Sequence, residues 1–456
     1  MTNQTKTWQK PSLLAHKTGL MNKVGAVAQH HFISEVDGHP VEDLMKAYGS
    51  PLFVLSEQGI RDNVRQLRRA FETRFPRVIY AWSYKTNYLN AVCSTMHQEG
   101  AWAEVVSAFE YEKARALGVP ADRILFNGPH KKRSILERVV EEGGRIHIDH
   151  LDELYLLEDV AAKAEKKISV TIRINFDTGY TQAWSRFGFN LESGQAMDAA
   201  RRIGQSAFLE LRGIHSHIGT FILDPRAYAA QARIMCGFME AVEEQTGCKI
   251  ESVDLGGGFA SKNTLHGTYL PPEQVVPSID QYAEAICDVM MECKNNREAR
   301  GLPFPTLILE SGRAMVDDAG TLLSSVVGTK RLPDGKRSIV IDAGVNILFT
   351  AFWYNHAVHL TSAVEGIPEE TVVYGPLCMN IDVVRASMML PPMSVGDVLH
   401  ISPVGAYNNT QWMQFIEYRP AVVMTHPDGS VSVIREAEDL ACVVAQEKLP
   451  AHLAEF

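Results

Sequence analysis

The chain has no Cys-x-x-Cys pair: its seven cysteines (Cys93, Cys236, Cys248, Cys287, Cys293, Cys378 and Cys442) are scattered and odd in number. That suits neither a disulfide framework nor a zinc knuckle. No apolar stretch approaches the roughly 18 residues that a membrane helix needs, and the basic segment Met1 to Lys23 lacks the apolar centre of a secretory leader. Long runs of lysine or arginine are missing too. With 44 Lys+Arg against 54 Asp+Glu the formal net charge is −10, which argues against a phosphate-backbone partner. A soluble, cytoplasmic protein that binds neither nucleic acid nor membrane is expected.

What is present is a large apolar fraction, 46% of 456 residues, enough for one or two compact domains. Eight short apolar runs alternate with segments of helical period: Val78–Lys85, Ala101–Ser107, Ile124–Pro129, Arg145–His150, Ser169–Asn175, Leu211–Gly219, Ser252–Phe259 and Thr306–Arg313. Between them, Lys131–Glu142, Leu151–Lys166 and Ala227–Glu244 repeat apolar residues three and four apart. Alternation implies parallel strands with helical crossovers, and eight units close a (β/α)8 barrel, although an open doubly wound sheet alternates as well. After Arg313 come strand-like runs without helices, among them Thr321–Gly328, Ser338–Ala343 and Asp397–Ser402, separated by turns such as Pro333-Asp334-Gly335. The reading is an α/β chain: a barrel over 48–313, and an all-β domain built from 314–456 with a strand from 1–47.

Active sites of parallel barrels lie at the C-terminal ends of the strands. Lys85 closes the first run; it is either a solvated strand end or an amine able to condense with a carbonyl cofactor. His215 and His217, two apart, suit a metal pair, helped by His147 or His150, or a ring lying flat on a heterocycle, or simply satisfied core histidines. Gly256-Gly257-Gly258 after the seventh run lets backbone amides approach a phosphate, unless it is only a tight turn. Glu310 and Arg313 close the eighth. An aldehyde needs a lysine, a phosphate needs amides, a ring face needs a planar partner and a pyridine nitrogen needs a carboxylate; together these fit pyridoxal 5'-phosphate (PLP), with no metal.

From about Gly49 to Pro420 the sequence resembles the fold-type III PLP-dependent decarboxylases, the family of diaminopimelate and ornithine decarboxylases. Tyr80–Asn87 is similar to the Tyr-Ala-x-Lys-x-Asn signature with two residues before Lys85; His217-Ile-Gly-Thr220, Gly256–Phe259, Glu310-Ser-Gly-Arg313, Gly375–Asp382 and Gly405-Ala-Tyr407 resemble five further motifs, in family order. The resemblance implies an alanine-racemase-like barrel followed by a β-domain. It implies that Lys85 binds the cofactor aldehyde, His217 stacks on the ring and Glu310 pairs with its nitrogen. Gly257, Gly258, Arg313 and Tyr407 would serve the phosphate or a substrate carboxylate. Cys378 would reach the neighbouring subunit's site, making a homodimer with shared active sites.

The chain departs from diaminopimelate decarboxylases where they grip the far end of the substrate. Their arginine followed four residues later by tyrosine appears here as Thr350 and Tyr354, and the acidic residue after the cysteine is Met379. A far-end pocket around Thr350, Tyr354, Met379 and Trp412 is expected to take an amino acid related to diaminopimelate with a different distal group, conjugated or otherwise modified; a D-amino acid is a further candidate, and diaminopimelate itself stays open. The alternatives of other class are an amino-acid racemase of the same fold, a metal-dependent barrel hydrolase using His215 and His217, and a non-catalytic PLP carrier.

Overall fold

The structure is a computed structural model that describes residues 32–454. The described chain opens on a small two-stranded antiparallel sheet of its own, Glu35–Val36 with His39–Pro40, and the helix Val41–Tyr48. The first strand of the larger sheets is β1 (Leu52–Ser56), whose Leu52, Phe53, Val54 and Leu55 are all at most 1% exposed. A strand with no polar alternation is one buried on both faces, and each such side chain contributes roughly 1.5–3 kcal/mol. Ser56 then caps the helix Glu57–Glu72 by accepting the Gly59 N–H at 3.0 Å.

Eight parallel strands follow: β2 (Val78–Ser83), β3 (Trp102–Val105), β4 (Ile124–Phe126), β5 (Arg145–Ile148), β6 (Ile168–Asn175), β7 (Leu209–His215), β8 (Ser252–Asp254) and β9 (Thr306–Leu309). Each pairs with the next in sequence, and β9 returns to β2, so the sheet closes into a barrel. All eight expected runs supply a strand. The intervening segments are helical where their period placed them, including Arg133–Glu142, Leu151–Lys163 and Pro225–Thr246. Their apolar stripes, such as Leu154, Leu157, Val160 and Ala161, pack on the outer face of the barrel sheet.

After Arg313 the chain forms β10 (Gly320–Arg331), β11 (Arg337–Ile341), β12 (Ala357–Leu360), β13 (Glu369–Tyr374), β14 (Val383–Leu390), β15 (Val398–Ser402), β16 (Val422–Thr425) and β17 (Val431–Arg435). The main path runs β14-β13-β11-β10-β1-β16-β17, with β15 joining β10 to β12. The open doubly wound alternative is thereby replaced by a closed barrel followed by a β-rich region. β1 lies within the range assigned to the barrel, yet it bonds β10 and β16 of this second sheet. Its unbroken apolar run requires two covered faces, which the centre of that sheet provides. The part of the N-terminal assignment covering 1–31 lies outside the described residues. Two strands, β12 and β14, have no counterpart among the sequence readings, since Val383–Leu390 alternates neither in polarity nor in exposure.

The second sheet is fastened over the barrel mouth. The Tyr407 N–H donates to the Thr86 carbonyl at 2.7 Å, Thr410 Oγ1 donates to the Lys85 carbonyl at 2.8 Å, and Asn87 Nδ2 donates to the Gly405 carbonyl at 3.1 Å. Among the described residues no helix is long and apolar enough to cross a membrane.

Candidate active site

A cavity of about 640 Å³ opens at the C-terminal ends of the barrel strands and is walled on one side by residues of the C-terminal region. Lys85, His217, Gly257, Gly258, Glu310, Arg313, Thr350, Tyr354 and Tyr407 all line it. Residues spread over more than 320 positions of sequence thus meet because strand ends converge at a barrel mouth.

Lys85 sits in the short turn Tyr84–Thr86 directly after β2 and pairs with Glu104 at the end of β3. Burial by itself lowers the pKa of its amine, but Glu104, then Tyr407 and Glu310, outweigh that and hold it above the ordinary value. Glu104 is 1% exposed and shares the Asn127 amide with Glu310, at 3.1 Å and 2.5 Å respectively. Glu310 follows β9 and is 3.3 Å from His215 Nε2 through its other oxygen.

His217 accepts the Gly257 N–H at Nδ1, 3.2 Å away, so its proton is on Nε2. Burial, reinforced by Arg173 and Lys85, lowers its pKa to about 3 and keeps the ring neutral. The glycine turn brings backbone against backbone. A Cβ on Gly257 would stand 2.2 Å from the Glu310 carbonyl oxygen, and one on Gly258, whose φ is +99°, 2.3 Å from the Gly219 carbonyl oxygen. Only glycine permits that approach. Arg313 is enclosed by the rings of Tyr354, Tyr407 and Phe221, at 4.6, 4.8 and 5.8 Å, while its Nε and Nη1 have no hydrogen-bond acceptor. Buried guanidinium donors without partners beside a glycine turn are what an incoming phosphate or carboxylate would satisfy. The donor set therefore fits PLP: an amine, a carboxylate, a neutral planar ring and an anion cradle face one cavity.

Two expectations are corrected. Trp412 is not part of the cavity; leaving the short helix Asn408–Gln411 in extended conformation, it packs edge-on against Phe53 and under the guanidinium of Arg435. His150 does not join the other histidines, because it caps the helix Leu151–Lys163. Met379, on the loop Gly375–Asp382 together with the exposed Cys378, does not line this chain's own cavity; that loop is the one expected to reach a neighbouring subunit. Conversely, Glu104, Asn127, Arg173 and Asp254 are buried at the floor, and Trp184 stands edge-on to His217 with centroids 5.1 Å apart. The first four lie at or near strand ends, and that position is the one signal the sequence offers for them.

A closed parallel barrel carrying this constellation defines a PLP enzyme of the alanine-racemase-like fold. The family model described as "pyridoxal-dependent decarboxylase, pyridoxal binding domain" matches residues 61–317. The diaminopimelate decarboxylase of Methanocaldococcus jannaschii is 31% identical over 435 residues, covering 92% of this chain and 95% of the relative. That of Bacillus subtilis is 28% identical, covering 95% and 97%. Among solved structures, the diaminopimelate decarboxylase from M. jannaschii in complex with L-lysine superposes with a TM-score of 0.82 at 29% identity, covering 92% and 96%. The chain belongs to the pyridoxal-dependent decarboxylases; it is a PLP-dependent amino-acid decarboxylase, and neither the racemase nor the hydrolase reading has support among these relatives.

Proposed function

We propose that the chain decarboxylates an amino acid related to diaminopimelate whose far end carries no free ammonium group. The observation that carries this is the charge of the cavity wall. Among the described residues its only lining carboxylates are Glu104 and Glu310, both on the floor and both hydrogen-bonded to Asn127, whereas Lys85, Arg173, Arg186 and Arg313 all line it. The outer wall is Phe221, Leu265, Thr350, Trp353 and Tyr354. Thr350 is itself committed: its hydroxyl is 2.9 Å from His356 Nε2 and 2.8 Å from Asn408 Oδ1. A distal ammonium would be desolvated there without a partner, which is costly, while an amide, ester or carboxylate would not.

Bound PLP supplies an aldehyde and an electron-accepting ring that takes up the electron pair of the cleaved Cα–carboxylate bond. The chain's residues do the rest. Lys85 would be the amine that holds the aldehyde, and Glu104, paired with it, would take up its proton. Glu310 would hold a proton on the ring nitrogen, and neutral His217 would offer the ring a flat face. Gly257, Gly258, Arg313 and Tyr407 hold the phosphate or the substrate carboxylate. Cys378, exposed on its loop, would serve the cavity of a second copy in a homodimer and there return a proton to Cα. Seven free thiols, two of them exposed, accord with a cytoplasmic setting.

The test is CO2 release by purified enzyme from meso-diaminopimelate, lysine, and side-chain N-acylated lysine or diaminopimelate. The acylated substrates are expected to give a kcat/KM at least about tenfold higher. Preferred turnover of unmodified meso-diaminopimelate would overturn the reading of the far end.

A further inference from the structure

Four buried groups converge at the cavity floor, where His215 and Glu310 line the cavity and His147 and Asp254 stand behind them. One ligating atom each from His147, His215, Asp254 and Glu310 lie within 4.8 Å of one another. Asp254 closes β8 and Glu310 follows the neighbouring β9, and the two are 1% and 6% exposed. Asp254 Oδ1 accepts the Gly256 N–H at 2.8 Å, but Oδ2 has no donor. Two carboxylates this close and this buried do not both ionise. Glu310 has the stronger claim to the charge: it receives the Asn127 amide, and Lys85 lies on its side of the floor. Burial, and then the Glu310 charge, push the Asp254 carboxyl well above the ordinary range. Glu104 adds to that push, while burial holds His147 and His215 neutral, reinforced at His215 by the charge of Arg173.

We propose that Asp254 and Glu310 work as one carboxyl pair with a single proton, Asp254 being a positioning residue that donates from Oδ2 to Glu310 and leaves it the ionised partner of the pyridine nitrogen. This rests on the assignment of Glu310 to that nitrogen. It explains why a second acid stands behind the first: the hydrogen bond fixes the Glu310 rotamer without adding a competing negative charge.

The experiment compares Asp254→Asn with Asp254→Leu. An asparagine keeps the Gly256 N–H acceptor and offers an N–H where the acid offered O–H; leucine offers neither. The D254N protein is expected to bind PLP in equilibrium dialysis within about threefold of wild type, to show the same visible spectrum and to keep kcat within a similar factor. D254L, folded by circular dichroism, is expected to bind PLP at least about tenfold more weakly. Beyond the protonated-carboxyl absorption of Glu110 common to both proteins, the cofactor-free wild-type protein is expected to show at neutral pH a further protonated-carboxyl infrared band that D254N lacks. An asparagine variant as damaged as the leucine one, or no such band, would overturn the proposal. Should the wild-type protein fail to take up PLP, the cofactor assignment falls, and the infrared band still decides the carboxyl pair.

Discussion

Replacing Arg313 with methionine separates anion binding from packing. The guanidinium is 8% exposed, faces the Tyr354 and Tyr407 rings, and leaves Nε and Nη1 without acceptors. Removing each unpartnered buried N–H relieves about 1–3 kcal/mol, and losing each cation–π contact costs about 0.5–2 kcal/mol. Asp317, 3.7 Å from Nη1, retains Ser261, Asn263 and the Ala406 N–H as donors. These effects offset, so the cofactor-free R313M protein is expected to unfold near the wild-type denaturation midpoint. Anion binding has no such offset. A hydrogen bond to a charged group contributes about 1.5–3 kcal/mol, and at about 1.4 kcal/mol per decade the loss predicts binding weaker by about 10- to 150-fold. Equilibrium dialysis of PLP and steady-state kinetics on one preparation identify the anion: a raised PLP Kd marks the phosphate, a raised KM at unchanged PLP affinity marks the substrate carboxylate. An R313M enzyme with wild-type values of both would refute the anion cradle.

Gly257→Ala places a Cβ 2.2 Å from the Glu310 carbonyl oxygen; overpacking of this kind costs about 1–3 kcal/mol, so urea denaturation is expected to show a lower midpoint, accompanied by weaker PLP binding because the displaced atom belongs to Glu310. A midpoint equal to wild type would show that the strand ends yield freely. His356, buried with Nδ1–H donating to the Pro403 carbonyl, has its pKa lowered by burial to about 4. The unfolded chain therefore takes up this proton near pH 6.5 and the folded chain only near 4, so the contribution of His356 to stability is lost as pH falls between those values. His356→Asn is expected to lose less stability than wild type between pH 7 and pH 5, measured by urea unfolding. Glu110, raised by burial to about 7, acts in the opposite direction and is common to both proteins, so the difference isolates the histidine. Equal losses would mean that His356 titrates as it does in water.

The strand-helix rhythm was legible because a parallel barrel strand is short and apolar, and a crossover helix is long and one-faced. Each motif also lay where such a strand ended, so local pattern singled out Lys85, His217, Gly257, Gly258, Glu310 and Arg313, which line one cavity; their roles came from the family resemblance. Glu104, Asn127, Arg173 and Asp254 escaped because a single polar residue in an apolar run carries no sign of the neighbour it will meet. Trp412 was misplaced for the same reason: a tryptophan near a motif tyrosine looks like a pocket wall, and one residue of extended backbone turns it onto Phe53.

The amino-acid order by itself determined the period of each segment, and with it the barrel, the positions of the strand ends and the kinds of chemical group standing there. Which carboxylate shares a proton with which, how Lys85 comes to rest against Glu104, and that Thr350 turns its hydroxyl to His356 and Asn408 were decided only by the closed fold. Periodicity acts over a few residues, whereas these pairings join strand ends and loops far apart in the chain, and electrostatic interaction depends on separation and burial that no stretch of sequence states.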